Sequence, residues 1–239
     1  MDQLDILYTP LDVPDRPDTD LEAFMRWARE AYTTEEQRKI REELSKGTAH
    51  NKLNPSGEYA WDMTYARFGD RWCNDFDKHF PQLAEYSYKT FGIELHELAT
   101  VLFLPLRNTI KGEAFWHNDV DETGFRYYLW CEKPEENPLV LRRCTYPHTQ
   151  RPRLPIPIAE DDPRIAKERL VCRMRTPTQA YYLNNIRAVH APTIYSTEPT
   201  LRIACLIKCK NEHQAAVKQR SQDLIVRSAE KYPEYALLW

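Results

Sequence analysis

The chain has 239 residues, 42% of them hydrophobic and 29% charged, which is enough apolar mass for one sizeable core and excludes disordered or collagen-like architectures. Its 33 Lys and Arg against 36 Asp and Glu leave a formal net charge of -3, so no overall basic field draws it to nucleic acid or to an anionic membrane. No apolar run approaches the roughly 20 residues that span a bilayer, and Met1 is followed by Asp2 and Asp5 instead of a basic and then apolar leader; a cytoplasmic protein without a membrane partner is expected.

Residues 1 to 18 are rich in Pro and Asp and read as extended. From Asp20 onward Leu21, Phe24, Met25, Trp27 and Ala28 recur at helical spacing, with Thr19 or Asp20 as the cap. Thr33 followed by Glu36 reads as a capping box opening a second helix to about Lys46. Between Thr48 and Phe76 the chain is irregular and aromatic, with Tyr59, Trp61, Tyr65 and Trp72; this stretch either covers a pocket mouth or packs helices onto a sheet. Pro81 in a first turn and Gly92 past the end bracket a third helix.

Eight strand-like runs follow, at about Ala99–Arg107, Glu113–His117, Phe125–Cys131, Pro138–Cys144, Leu170–Arg175, Gln179–Leu183, Val189–Ile194 and Thr200–Lys208. They predict a mainly β fold with flanking helices, its core a double-stranded β-helix of the jelly-roll or cupin-like kind. In the last run Leu201, Ile203, Cys205 and Ile207 alternate with Arg202, Ala204, Leu206 and Lys208, so it is expected to be covered on both faces, by a sheet within and a helix without. Tyr146 to Pro163 is too proline-rich for a central strand and reads as a long crossing loop. A final helix starts near Asn211, and its apolar tail, Tyr235 to Trp239, either docks on its own domain or meets a partner. One structural domain is expected: residues 1–98 packing on the core, the core at 99–209, and a C-terminal helix at 210–239.

The six cysteines form no CxxC pair and several sit in apolar runs, which predicts buried free thiols without structural zinc. Six glycines and no phosphate-binding glycine motif argue against a nucleotide-binding α/β fold.

Chemistry-bearing residues concentrate in the strand-rich region. Trp116-His117-Asn118-Asp119 ends the second strand; alone, a His-x-acid triplet means little, because about one arises by chance in a chain of this composition. His190 lies on the seventh strand and Arg202 on the eighth. In a jelly roll the second and seventh strands are neighbours, so His117, Asp119 and His190 are expected to converge at one open end. Two imidazoles and one carboxylate on one face of a metal leave three positions empty, the arrangement in which non-haem Fe(II) takes a chelating co-substrate and O2. Arg202, with the small Ala204 beside it, offers a fork of donors to a distal carboxylate.

With these residues in this order, the sequence resembles the Fe(II)/2-oxoglutarate-dependent oxygenases. The strings from His117 to Asp119, Phe125 to Leu129, Leu183 to Asn185, then His190 and Arg202, look most like the small members that hydroxylate amino acids or aspartyl, asparaginyl and prolyl residues. The resemblance covers roughly residues 99 to 209. It implies His117, Asp119 and His190 as metal ligands, Fe(II) as cofactor, and 2-oxoglutarate and O2 as co-substrates. It also implies decarboxylation of 2-oxoglutarate to succinate and CO2 coupled to hydroxylation of a C–H bond. Many members carry Ser or Thr two residues after the arginine, where this chain has Ala204, so a second donor to the co-substrate is sought in Tyr127 or Tyr182, and Arg126 competes with Arg202. An intact Asp119 favours hydroxylation over halogenation.

The expected substrate is a small polar molecule, foremost a free amino acid; the alternatives are a peptidyl or protein side chain, a cupin-like isomerase, hydrolase or sensor that does not use O2, and a silent scaffold. Trp116, Tyr128 and Trp130 read as core aromatics or pocket walls, and Asn184 as a turn residue or a pocket contact. The remaining histidines read as surface or structural residues.

Overall fold

The computed structural model of the chain describes residues 5–45, 63–108, 112–113, 116–117, 123–145, 159, 161–194 and 200–239. In chain order these form β1 (Ile6–Pro10), α1 (Leu21–Tyr32), α2 (Glu35–Ser45), β2 (Thr64–Phe68), β3 (Arg71–Trp72), α3 (Phe76–His79) and α4 (Pro81–Lys89). There follow β4 (Leu98–Asn108), β5 (Gly112–Glu113), β6 (Phe125–Cys131), β7 (Leu139–Arg143), β8 (Leu170–Cys172), β9 (Ala180–Leu183), β10 (Ala188–Ile194), β11 (Thr200–Cys209), α5 (Gln214–Lys231) and β12 (Leu237–Leu238). Every described pairing is antiparallel. The fold is mainly β with a few helices, as the strand-like runs predict. None of the described helices is long and apolar enough to cross a membrane.

The strands divide into an eight-stranded sheet, in the order β12-β1-β9-β6-β11-β4-β2-β3, and a four-stranded sheet, in the order β5-β10-β7-β8. Side chains alternate across the large sheet. Phe125, Tyr127 and Leu129 of β6, Ile203, Cys205 and Ile207 of β11, and Val101 and Phe103 of β4 share one buried cluster with Phe24 and Trp27 of α1, Leu83 of α4 and Val217 and Ile225 of α5. The opposite face contributes Tyr128 and Tyr181 to a second cluster with Leu139 and Leu141 of the small sheet. β11 is thus covered on both faces, as its two apolar registers require. Trp116, Val140, Val189 and Ala191 form a third cluster with Cys144 and Ile165.

The helices start where local chemistry favours it. Asp20 caps α1, its Oδ1 accepting from the Glu22 and Ala23 amides at 2.9 and 3.1 Å. The second cap lies one residue later than the Thr33 box: the Thr34 hydroxyl accepts from the Gln37 amide at 3.3 Å, while Thr33 closes α1 and donates to Glu30 O at 2.8 Å. α2 then lays Ile40 against Tyr65, Leu102 and Leu206. Pro81 opens α4 at its first turn, and Gly92 follows with φ +67.

Three segments depart from the local reading because their partners are remote. Residues 6–10, expected only to be extended, pair with β9 on one side and β12 on the other. Of the stretch from Thr48 to Phe76, residues 48–62, with Tyr59 and Trp61, lie outside the described residues; Thr64–Phe68 is strand β2 on the edge of β4, and Tyr65 is buried. The tail beyond α5 docks on its own chain as a strand: Leu237 and Leu238 pair with β1, Trp239 N donates to Asp5 O at 2.8 Å, and the Arg187 guanidinium stands 4.7 Å over the Trp239 ring. Of the run expected at Glu113–His117, Glu113 belongs to β5 and His117 makes an isolated bridge to His190, while residues 114–115 lie outside the described residues. Of the crossing loop, residues 146–158 and 160 lie outside the described residues.

Candidate functional site

His117 and His190 are joined by backbone before their side chains matter. His117 N donates to His190 O at 3.0 Å and His190 N to His117 O at 2.8 Å, so the two form a hydrogen-bonded antiparallel pair whose side chains leave the same face. Their ring centroids are 4.1 Å apart, and both residues are buried. Both rings line a cleft whose other walls come from the large sheet and from Leu139. The free volume enclosed by these described residues is about 50 Å³.

The floor of the cleft follows from strand register. Ala204 of β11 lies opposite Tyr128 of β6, Leu206 opposite Arg126, and Arg126 in turn opposite Tyr181 of β9. Arg202, two positions from Ala204, lines the same cleft. It is 4% exposed, and among the described residues its one side-chain hydrogen bond is from Nη1 to Asn137 O at 3.1 Å and no carboxylate pairs with it. Arg126, also 4% exposed, donates to Gly124 O at 3.3 Å and to Asn185 Oδ1 at 3.0 Å. Gly124 has φ +69, and a Cβ there would lie 2.1 Å from Leu183 O, so only glycine lets β6 and β9 meet at this point. Among the described residues that line the cleft, two are arginines and none is acidic.

A scan against family models matches nothing, and a search of curated proteins finds no relative. Geometry therefore carries the reading.

Tyr128 and Tyr181 stack at 5.2 Å between centroids and line the cleft. Burial raises the pKa of both phenols, against the pull of Arg202 on Tyr128 and of Arg126 on Tyr181, so both are protonated donors at neutral pH. Tyr127 and Tyr182, the two tyrosines expected to assist the arginine, stand on the other face. Tyr127 shares a 2.9 Å hydrogen bond with Ser87 of α4 and packs edge-on to Tyr86; Tyr182 packs edge-on to Phe125 in the same helix-side cluster. A strand puts successive side chains on opposite faces, so the pocket tyrosines are the immediate sequence neighbours.

His117, His190, Arg202 and Arg126 are brought together; Asp119 lies outside the described residues. Among the described residues no group of three His, Cys, Asp or Glu side chains gathers to hold a metal. Asn184 serves the turn, its Oδ1 accepting from the Ile186 and Arg187 amides at 3.1 and 3.2 Å. Asn185 orients Arg126 instead, a contact that no local pattern signals. Trp116 is core, with the Arg142 guanidinium 5.2 Å over its ring. Trp130 packs partly against the helix-side cluster.

Proposed function

We propose that the chain is an Fe(II)- and 2-oxoglutarate-dependent oxygenase, built on a double-stranded β-helix, that hydroxylates a C–H bond of a small polar substrate such as a free amino acid. The jelly-roll reading is supported by how chain order interleaves the sheets. β4, β6, β9 and β11 belong to the large sheet and β5, β7, β8 and β10 to the small one, in the orders β4-β11-β6-β9 and β5-β10-β7-β8. That is the exchange between sheets that two Greek keys produce.

The observation that carries the function is Arg202. A buried guanidinium with one backbone acceptor and no carboxylate among the described residues is costly for folding alone. It is accounted for when it receives the far carboxylate of a diacid whose other end reaches the histidine pair. His117 and His190 offer imidazole nitrogens that suit Fe(II), and we assign Asp119 as the third ligand. Bound there with 2-oxoglutarate and O2, the iron supplies the oxidising power for C–H hydroxylation. The protein's own part is to bind and orient. Arg202 pairs with the distal carboxylate, the protonated Tyr128 beside it donates a hydrogen bond, Ala204 leaves the space, and Leu104, Leu139 and Leu206 exclude water. No disulfide links the six cysteines, all of them buried, which agrees with a reducing compartment.

Anaerobic titration of the chain with Fe(II) and 2-oxoglutarate tests the reading. A weak visible charge-transfer band is expected, lost in His117→Ala and weakened in Arg202→Ala, with succinate released once O2 and a substrate are added. Tight zinc binding with neither a band nor succinate favours the cupin-like alternative that does not use O2, and refutes the oxygenase.

A further inference from the structure

The acceptor that holds Arg202 belongs to a short connection, residues 132–138, that joins β6 to β7. One side chain sets the shape of that connection. Asn137 is fully buried; its Nδ2 donates to Glu132 O at 2.8 Å and to Lys133 O at 3.0 Å, while its Oδ1 accepts from the Thr200 hydroxyl of β11 at 3.2 Å. Both amide hydrogens and the amide oxygen are thereby engaged. Lys133 O takes a second bond, from the Glu136 amide at 2.9 Å, and Lys133 has φ +45, a conformation that a Cβ disfavours. The Asn137 amide therefore holds a turn that local preference would not keep.

The same connection is tied to β11 at the residue just before the arginine. Glu132 N donates to Leu201 O at 3.0 Å, and Leu201 N donates to Glu132 Oε2 at 2.8 Å. Thr200, Leu201 and Arg202 are consecutive, so three successive residues of β11 bond to one connection, the last through Nη1 to Asn137 O at 3.1 Å. Pro138, next in the chain, disfavours a helical ψ at Asn137 and narrows the directions its carbonyl can take. A guanidinium carries five N–H donors at the end of a long, freely rotating stem. One fixed acceptor at Nη1 removes much of that freedom and leaves the rest of the fork to a ligand. A bidentate carboxylate depends on that aim, because its two parallel bonds must form together.

We infer that Asn137 is a positioning residue for ligand binding: its buried amide locks the β6–β7 connection onto β11, so that its own carbonyl aims the Arg202 guanidinium at an incoming carboxylate. The inference rests on the oxygenase reading for the identity of that ligand, the distal carboxylate of 2-oxoglutarate.

Calorimetric titration of 2-oxoglutarate into the full chain, with Zn(II) present, tests it through a double-mutant cycle. Asn137→Ala is expected to weaken binding at least about fivefold in the wild-type background and to have no further effect in Arg202→Met. A side chain that serves the fold alone lowers the melting temperature but leaves the affinity as it was, or weakens binding equally in both backgrounds; either result overturns the inference. Thr200→Val removes one bond to Asn137 at nearly constant shape and is expected to give a smaller loss with the same dependence on Arg202. If Asn137→Ala does not fold, Thr200→Val decides, and an affinity equal to wild type overturns the inference. A second readout needs no ligand. In the isotope-labelled chain, the Arg202 Nε–H resonance, identified by its absence in Arg202→Met, is expected to be sharp and distinct in wild type and to broaden or move toward the exposed arginines in Asn137→Ala. An unchanged resonance overturns the inference. A chain in which this resonance responds, but which neither binds 2-oxoglutarate nor forms the iron band, upholds the positioning role and refutes the oxygenase reading alone.

Discussion

Replacing Arg202 by Met separates a binding role from a structural one, because the two predict opposite signs. Met keeps most of the volume and removes a cation that is 4% exposed and, among the described residues, bonded only to Asn137 O. The lost neutral-acceptor bond is worth about 1–3 kcal/mol, and relief of the guanidinium's desolvation offsets it by a comparable amount, so the ligand-free melting temperature is expected to hold or rise. Binding goes the other way. A charge-assisted contact worth about 2 kcal/mol corresponds to roughly 30-fold in affinity. At 2-oxoglutarate about 100 times the wild-type Kd, ligand stabilises the fold by about 2.7 kcal/mol. In a domain of this size that is a shift of roughly 5–11 °C. A 30-fold weaker variant at the same concentration retains about 0.9 kcal/mol, or roughly 2–3 °C. The assay is thermal melting under anaerobic Fe(II), with and without 2-oxoglutarate. A variant that melts many degrees lower without ligand yet keeps the full ligand shift refutes the reasoning and makes Arg202 a structural residue.

His190→Ala is expected to abolish the metal-induced rise in melting temperature, read with Mn(II) in place of Fe(II); an undiminished rise places the metal elsewhere. Tyr127→Phe removes the Ser87 contact on the helix side and is expected to lower stability by about 1 kcal/mol with 2-oxoglutarate affinity unchanged, whereas Tyr128→Phe weakens that affinity with little loss of stability. The reverse pattern in calorimetry and denaturant melts shows that the strand faces are wrongly read. Ala204→Leu places three more carbons into about 50 Å³ of free space and is expected to block 2-oxoglutarate binding more than tenfold, by titration. Burial pushes the Cys73 thiol up to about 12 and the Cys131 thiol up to about 11. Both therefore stay protonated at pH 8, and mass spectrometry after iodoacetamide treatment of the native chain is expected to show neither modified until denaturant is added.

What the sequence determines by itself is local and periodic. Phe125–Cys131 and Thr200–Cys209 are legible as strands because side chains along a strand repeat every two residues, and the same strands appear in the fold. Asp20 and Pro81 mark helix starts because capping and a fixed φ act over one turn. The order of His117, His190 and Arg202 is legible too, and their convergence follows once the strands carrying them are correctly placed. Tertiary structure decides everything that depends on a remote partner or on the sign of a face. Residues 6–10 are a strand because they pair with the remote β9 and β12, and residues 237–238 because they pair with β1 across the whole chain. Alternation says that Tyr127 and Tyr128 point oppositely; only the packing of α1, α4 and α5 against one side of the sheet decides that Tyr128 enters the cleft and Tyr127 does not. The same holds for Arg126 and Arg202, equal in charge and both on the floor, which take opposite ends because Gly124 and Asn185 hold one and Asn137 the other.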